Sequence, residues 1–122
     1  MTPPSDAPID PSVVASLRAL QYPDQRDLLT ELIDLFLGDA PVRIAAVHDP
    51  IAGGDAVTLR RGAHALKGSA ANLGAVQLAA LSAELERMGK GGSVDGATAI
   101  RPKLAHEYDR VAIALRAERR PM

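Results

Sequence analysis

The chain has 122 residues, 47% of them hydrophobic, with a formal net charge of −1 and no cysteine. That length fits one domain with a single modest core. A charge so near zero gives no general attraction to nucleic acid or to an anionic membrane, and the lack of thiols excludes both a disulfide framework and a cysteine metal site.

The hydrophobic supply is Ala, Leu, Val and Ile, with Tyr22, Phe36 and Tyr108 as the only aromatics. Such a mixture suits interdigitated helices better than strands. No apolar run approaches the ~20 residues that cross a bilayer. The opening MTPPSDAPID lacks the basic-then-apolar order of a secretory signal, so the expectation is a soluble, cytoplasmic, free-standing domain.

Residues 1–9 are rich in Pro, Ser and Asp and read as a flexible lead-in. Asp10-Pro11 then supplies a capping carboxylate followed by proline at the first helical position. Val13, Val14, Leu17 and Leu20 are the expected buried face of this short first helix, which Gln21-Tyr22-Pro23 breaks. A second run opens near Asp24 with Leu28, Leu32, Leu35 and Phe36 and resumes beyond Gly38 with Val42, Ile44, Ala45 and Val47. It is read as one long element bent near Pro41 or Pro50, ending near Asp49-Pro50 with Gly53-Gly54 as its stop.

A third helix is expected from Asp55 to Leu73. Leu59, Ala63, Leu66, Ala70 and Leu73 recur at spacings of 4, 3, 4 and 3, a coiled-coil-like seam, and Gly74 ends it. A fourth helix carries Leu78, Leu81, Leu85 and Met88 and stops at Gly89-Lys90-Gly91-Gly92. A fifth begins between Ser93 and Asp95 and runs to about Arg119 through Ile100, Leu104, Tyr108, Val111 and Leu115, with Pro102 disturbing its first turns. Nothing alternates with period two for long enough to argue a strand. The fold class is therefore all-α: an antiparallel four-helix bundle with an additional short N-terminal helix, over residues 10–119, and a short tail at 120–122.

On a wheel of the third helix, at roughly 100° per residue, His64 lies about 140° from the middle of the buried seam. It points to solvent. Arg60, Arg61, Lys67, Gly68 and Ala71 share or flank its face, because residues three and four apart are surface neighbours. Three cations around one histidine favour a dianionic phosphoryl group. Gly68 is the second sign, since glycine inside a helix costs about 1 kcal/mol relative to alanine. Its tolerance suggests that something approaches the backbone closely beside His64.

The stretch His64-Ala65-Leu66-Lys67-Gly68-Ser69-Ala70-Ala71-Asn72-Leu73-Gly74 resembles the signature of histidine-containing phosphotransfer (HPt) domains, the intermediates of multistep His–Asp phosphorelays. Similarity continues in Leu-Phe-Leu-Gly-Asp-Ala-Pro at 35–41, in the Gly-Asp before the histidine helix, and in Leu-Ser-Ala-Glu-Leu-Glu at 81–86. Pro50 departs from the regular helix usual in the family. The resemblance implies a phosphocarrier rather than an enzyme. His64 takes a phosphoryl group from the aspartyl phosphate of a receiver domain and hands it to another receiver. Lys67 lies near that group, Gly68 leaves room for the receiver, and Glu86 on the next helix holds the other ring nitrogen. It also implies no cofactor of the protein's own, with Mg²⁺ belonging to the receiver, and a monomer whose partners are receiver domains of response regulators or hybrid histidine kinases.

Elementary chemistry agrees. A neutral imidazole attacks through one nitrogen, so the other should be pinned as an N–H donor. A carboxylate does this and stabilises the imidazolium character that develops on phosphorylation. Nε2 is therefore the expected nucleophile, with Nδ1–H bonded to Glu86.

Other features have plainer readings. His48 and His106 lack partners at metal-ligand spacing, so no metal site is expected. Gly89-Lys90-Gly91-Gly92-Ser93 lacks the order of a phosphate loop and reads as an interhelical turn. Arg60 and Arg61 are either a receiver contact or a solvated face. Ser69 and Asn72 are secondary site candidates, whose plainer readings are a side chain facing a neighbouring helix and a local hydrogen-bonder. Arg116, Arg119 and Arg120 suit the negative end of the last helix. Val57 and residues 75–79 are the expected apolar docking contacts. Two competing functions are a helical module that docks a receiver or kinase without carrying phosphate, and a receiver phosphatase. The latter lacks a second nucleophile or base near His64.

Overall fold

The computed structural model describes residues 7–20 and 27–120. The expected break at Gln21-Tyr22-Pro23, the opening at Asp24, most of the lead-in and the last two residues lie outside them. Five helices follow in order: α1 (Pro11–Arg18), α2 (Leu28–Gly53), α3 (Ala56–Asn72), α4 (Val76–Lys90) and α5 (Ala97–Glu118). Among the described residues there is no strand. The packing pairs are α2 with α3, α3 with α4, α4 with α5 and α5 with α2, which closes a ring of four, and α1 lies on α2. This is the expected four-helix bundle with its short extra helix.

Local chemistry accounts for the helix starts. Asp10 caps α1 through the Ser12 N–H at 2.9 Å, with Pro11 at the first position. Asp27 and Asp55 do the same for α2 and α3 through the N–H groups of Thr30 and Thr58, each at 3.1 Å. Gly54 ends α2 in the left-handed region at φ 71°, where a Cβ would be strained.

The buried seam of α3 is the predicted one: Leu59, Ala63, Leu66 and Ala70 are fully buried, with Leu73 just beyond. The phase of α2 is predicted only in part, with Phe36 and Val47 buried as expected. Leu29, Ile33, Phe36, Ala40, Val47 and Ile51 form its core face, while Leu35 is 62% and Val42 74% exposed. Positions 28, 32, 35 and positions 29, 33, 36 carry the same helical spacing, so periodicity alone could not choose between them. Leu20, expected to be buried, is exposed, and Ile9, at the end of the segment read as a flexible lead-in, is buried. The Asp10 N–H donates to the Gly74 carbonyl at 2.8 Å, tying that segment to the α3–α4 corner.

Three boundaries differ from expectation. α2 runs through both Pro41 and Pro50 to Gly53 rather than ending near Pro50. α5 starts at Ala97, after Gly96 at φ 84°, and continues through Pro102. α4 includes Gly89, which is buried inside the helix instead of stopping it. At the far end, Arg119 pairs with Asp34 and the Arg120 N–H donates to Thr30 Oγ1 at 2.9 Å. These residues thus clasp α2 rather than merely complementing the end of their own helix.

Two glycines let helices approach closely. Pro50 has no N–H to give the Ala46 carbonyl, one turn earlier in α2. That carbonyl faces Gly62 of α3, where an added Cβ would collide with its oxygen. At Gly89 a Cβ would lie 2.8 Å from both the Ala56 oxygen and the Arg60 nitrogen, so α4 rests on the first turns of α3. Gly68 is different, since a Cβ there would meet nothing within 4 Å. Urea denaturation should therefore separate the two cases. Gly62→Ala should lose about 1–3 kcal/mol through overpacking, whereas Gly68→Ala should gain about 0.5–1 kcal/mol by restricting the unfolded chain.

Candidate functional site

The outward face of α3 presents Val57, Arg60, Arg61, His64, Gly68, Ala71 and Asn72, all exposed. Val57, Arg61, His64, Gly68 and Ala71 form one stripe at helical spacing, so these candidates share one face of α3. His64 keeps 69% of its side chain exposed.

Antiparallel packing sets Glu86 of α4 directly beside this ring. His64 Nδ1 is 2.8 Å from Glu86 Oε2, and Lys67 Nζ donates to Glu86 Oε1 at 2.6 Å. The carboxylate is nearly buried, with 8% of its side chain exposed. It accepts on both oxygens, so its charge is satisfied where water is mostly excluded. Because an ionised carboxylate only accepts, Nδ1 must carry the proton of a neutral ring, and the lone pair is left on Nε2. The exposed edge of the ring thus holds the basic nitrogen.

Glu86 itself is strongly perturbed. The Lys67 ammonium first, and the His64 ring second, lower its pKa from 4.5 to about 2. A carboxylate whose pKa falls on folding adds stability that is complete above the unfolded value and disappears as pH drops through the folded one. This contribution is therefore present above 4.5 and lost toward 2.

Sequence reasoning missed two features. Lys90, read as part of a turn, lies one turn beyond Glu86 with Nζ 3.9 Å from Oε2. Arg60, Arg61, His64, Glu86 and Lys90 line an open depression beside the imidazole. The spacing of four between Glu86 and Lys90 was the available signal. The second feature is a groove between α2 and α3, lined by the apolar Leu32, Leu35, Phe36 and Leu73 and the polar Asp39, Arg43, Ser69 and Asn72. Ser69 and Asn72 are thus brought to this groove, and the exposed Leu35 borders it. Val57 lies at the opposite end of the α3 stripe, and Val76, within the 75–79 segment, is exposed at the start of α4.

The other histidines stand apart. His48 of α2 is partly buried, and its Nε2 has no hydrogen-bond partner among the described residues. Desolvation, then the nearby Arg101, push its pKa down. His106 is exposed on α5. No group of three or more metal-ligating side chains occurs among the described residues, and no described helix is long and apolar enough to cross a membrane.

The bundle thus displays the His64 imidazole while a nearly buried carboxylate pins its far nitrogen. Residues 31–114 match the Hpt domain family, and the chain belongs to it. It is similar to a solved structure described as histidine-containing phosphotransfer protein B (HptB) from Pseudomonas aeruginosa PAO1. The two share 33% sequence identity and a TM-score of 0.83, over 93% of this chain and 96% of that one. No curated protein sequence matches the chain. Family membership assigns it a phosphotransfer role within a phosphorelay.

The Glu86 carboxyl ¹³C resonance should titrate near 2, with no inflection around 4.5. In Lys67→Ala the midpoint should rise toward the ordinary carboxylate range, because the largest cause of the depression is gone.

Proposed function

We propose that this protein is a phosphorelay intermediate that accepts a phosphoryl group on His64 Nε2 from a receiver-domain aspartate and passes it to a second receiver. The observation that carries the reading is the exposed His64 ring held at Nδ1 by the buried Glu86 at 2.8 Å.

In the forward step the Nε2 lone pair attacks the phosphorus of the aspartyl phosphate. The N–P bond forms, the P–O bond breaks, and the aspartate leaves as a carboxylate with the bonding pair. The proton stays on Nδ1, so the ring becomes cationic and Glu86 stabilises that charge. The reverse step on another receiver restores the neutral ring. Such transfer depends on positioning and charge neutralisation, with Mg²⁺ supplied by the receiver. The domain is thus a carrier without turnover chemistry of its own.

Docking follows from the surface around His64. Gly68 and Ala71 present almost no side chain, and among the described residues nothing approaches the space above Gly68. That space is left for the receiver. The groove bordered by Leu35, Ser69 and Asn72 offers apolar contact on one side of the stripe. Arg60 and Arg61 offer positive charge on the other, and Val57 extends the contact toward the start of α3.

Incubation with a phosphorylated receiver and Mg²⁺ should place an acid-labile, base-stable label on the wild-type protein and none on His64→Gln. Label that persists in His64→Gln removes the assignment, and binding without any label supports a docking module instead. Gly68→Gln should fold normally yet accept phosphate at least about tenfold more slowly, equivalent to ~1.4 kcal/mol of barrier, as measured by initial transfer rates.

A further inference from the structure

Small residues recur every seven positions on both sides of the α3–α4 contact, the most extensive in the bundle. Ala56, Ala63 and Ala70 lie on α3. Ala75, Ser82 and Gly89 lie on α4 or at its cap, and all three are buried. A spacing of seven returns to the same face of a helix, so each set forms one stripe, and the antiparallel register pairs the two. A Cβ at Gly89 would lie 2.8 Å from the Ala56 oxygen and from the Arg60 nitrogen. At the other end the Ala75 N–H donates to the Ala70 carbonyl at 2.9 Å. Ser82 and Ala63 fall midway between these contacts. Ser82 Oγ donates to the Leu78 carbonyl of its own helix at 2.8 Å, so its hydroxyl asks nothing of α3 and the side chain acts by being small.

Glu86 stands between Ser82 and Gly89, about one turn from each, and its carboxylate crosses to α3 to meet His64 Nδ1 at 2.8 Å and Lys67 Nζ at 2.6 Å. We propose that Gly89 and Ser82 are positioning residues for phosphotransfer, keeping α4 at the separation from α3 at which Glu86 reaches the ring. The inference rests on the phosphocarrier reading. The distance between packed helices follows the size of the side chains at the contact, so bulk in this stripe moves α4 outward. A hydrogen bond tolerates little of that movement, since at about 3.6 Å it is no longer one. The obstruction at Gly89 is backbone, which no rotamer change relieves. A displaced α4 leaves the imidazole exposed but frees Nδ1. The proton is then no longer held there, and Nε2 presents its lone pair for only part of the time.

The test compares the full chain carrying Gly89→Ala with Gly62→Ala, which overpacks the α2–α3 contact instead and costs comparable stability. His64→Gln assigns the His64 signals. In Gly89→Ala the midpoint of the Glu86 carboxyl ¹³C titration should rise from about 2 by at least about 1. The ¹⁵N spectrum of His64 should change from one tautomer protonated at Nδ1 to a mixture. Labelling of His64 by phosphoramidate, which modifies imidazoles without a receiver, should slow at least about threefold. Gly62→Ala should keep the wild-type behaviour in all three. Ser82→Val adds bulk to the same stripe and should shift all three in the direction of Gly89→Ala, and it decides the matter if Gly89→Ala does not fold. Wild-type signals in folded Gly89→Ala, or in Ser82→Val, overturn the inference. So does a Gly62→Ala protein that moves as far as Gly89→Ala, because the effect is then general loosening of the bundle. Wild-type protein that accepts phosphate from phosphoramidate but none from a phosphorylated receiver overturns the phosphorelay reading instead, and leaves the comparison of the glycine variants intact.

Discussion

The site depends on one carboxylate, Glu86, whose two oxygens are divided between the His64 ring and the Lys67 ammonium. An exposed histidine on a helix ordinarily rotates and exchanges tautomers freely. Here a nearly buried acceptor at Nδ1 orients the ring and directs the reactive lone pair outward. In the proposed transfer the bond serves both states of the ring, as an orienting contact when it is neutral and as a counter-charge when it is phosphorylated. Lys67 keeps Glu86 ionised well below the ordinary carboxylate range, so this anchor does not fail anywhere near neutral pH.

The bundle around this contact serves its geometry. Leu59, Ala63, Leu66 and Ala70 lock the rotation of α3, which turns His64 away from the core. Gly62 and Gly89 then set how closely α2 and α4 approach α3. Close packing at Gly89 is the contact that carries Glu86 and Lys90 toward the imidazole from the neighbouring helix. Gly68 has the opposite logic. Among the described residues no neighbour requires it, so packing within the bundle does not account for the roughly 1 kcal/mol cost of a helical glycine.

Charge is distributed with the same economy. Arg60, Arg61, Lys67 and Lys90 gather around a single carboxylate on a protein whose formal net charge is only −1. The local field therefore favours a phosphoryl dianion even though the whole molecule does not attract polyanions. The groove on the α2 side and the cationic rim on the α4 side divide the face around His64 into a part suited to docking and a part suited to the transferred group.

Much of this was legible in the amino-acid order. The α3 seam was readable because its apolar positions leave one helical phase, and the His64–Lys67–Gly68 pattern with Glu86 was readable because its spacings resemble a family signature. The phase of α2 was legible only in part, since two sets of leucine-like positions share one period and only packing against α3 and α5 selects Leu29 and Ile33 for the core. That choice exposes Leu35 and creates the groove. The place of Lys90 was equally hidden, because it follows from how far α4 slides along α3, and that distance is set by a backbone contact at Gly89. Sequence alone thus determined the all-α class and the rotation of the helix that turns His64 outward. The tertiary structure decided which cation holds Glu86, which one faces open space, and where an apolar surface remains uncovered. Those outcomes arise from distances between helices far apart in the chain, and helical periodicity carries no information about them.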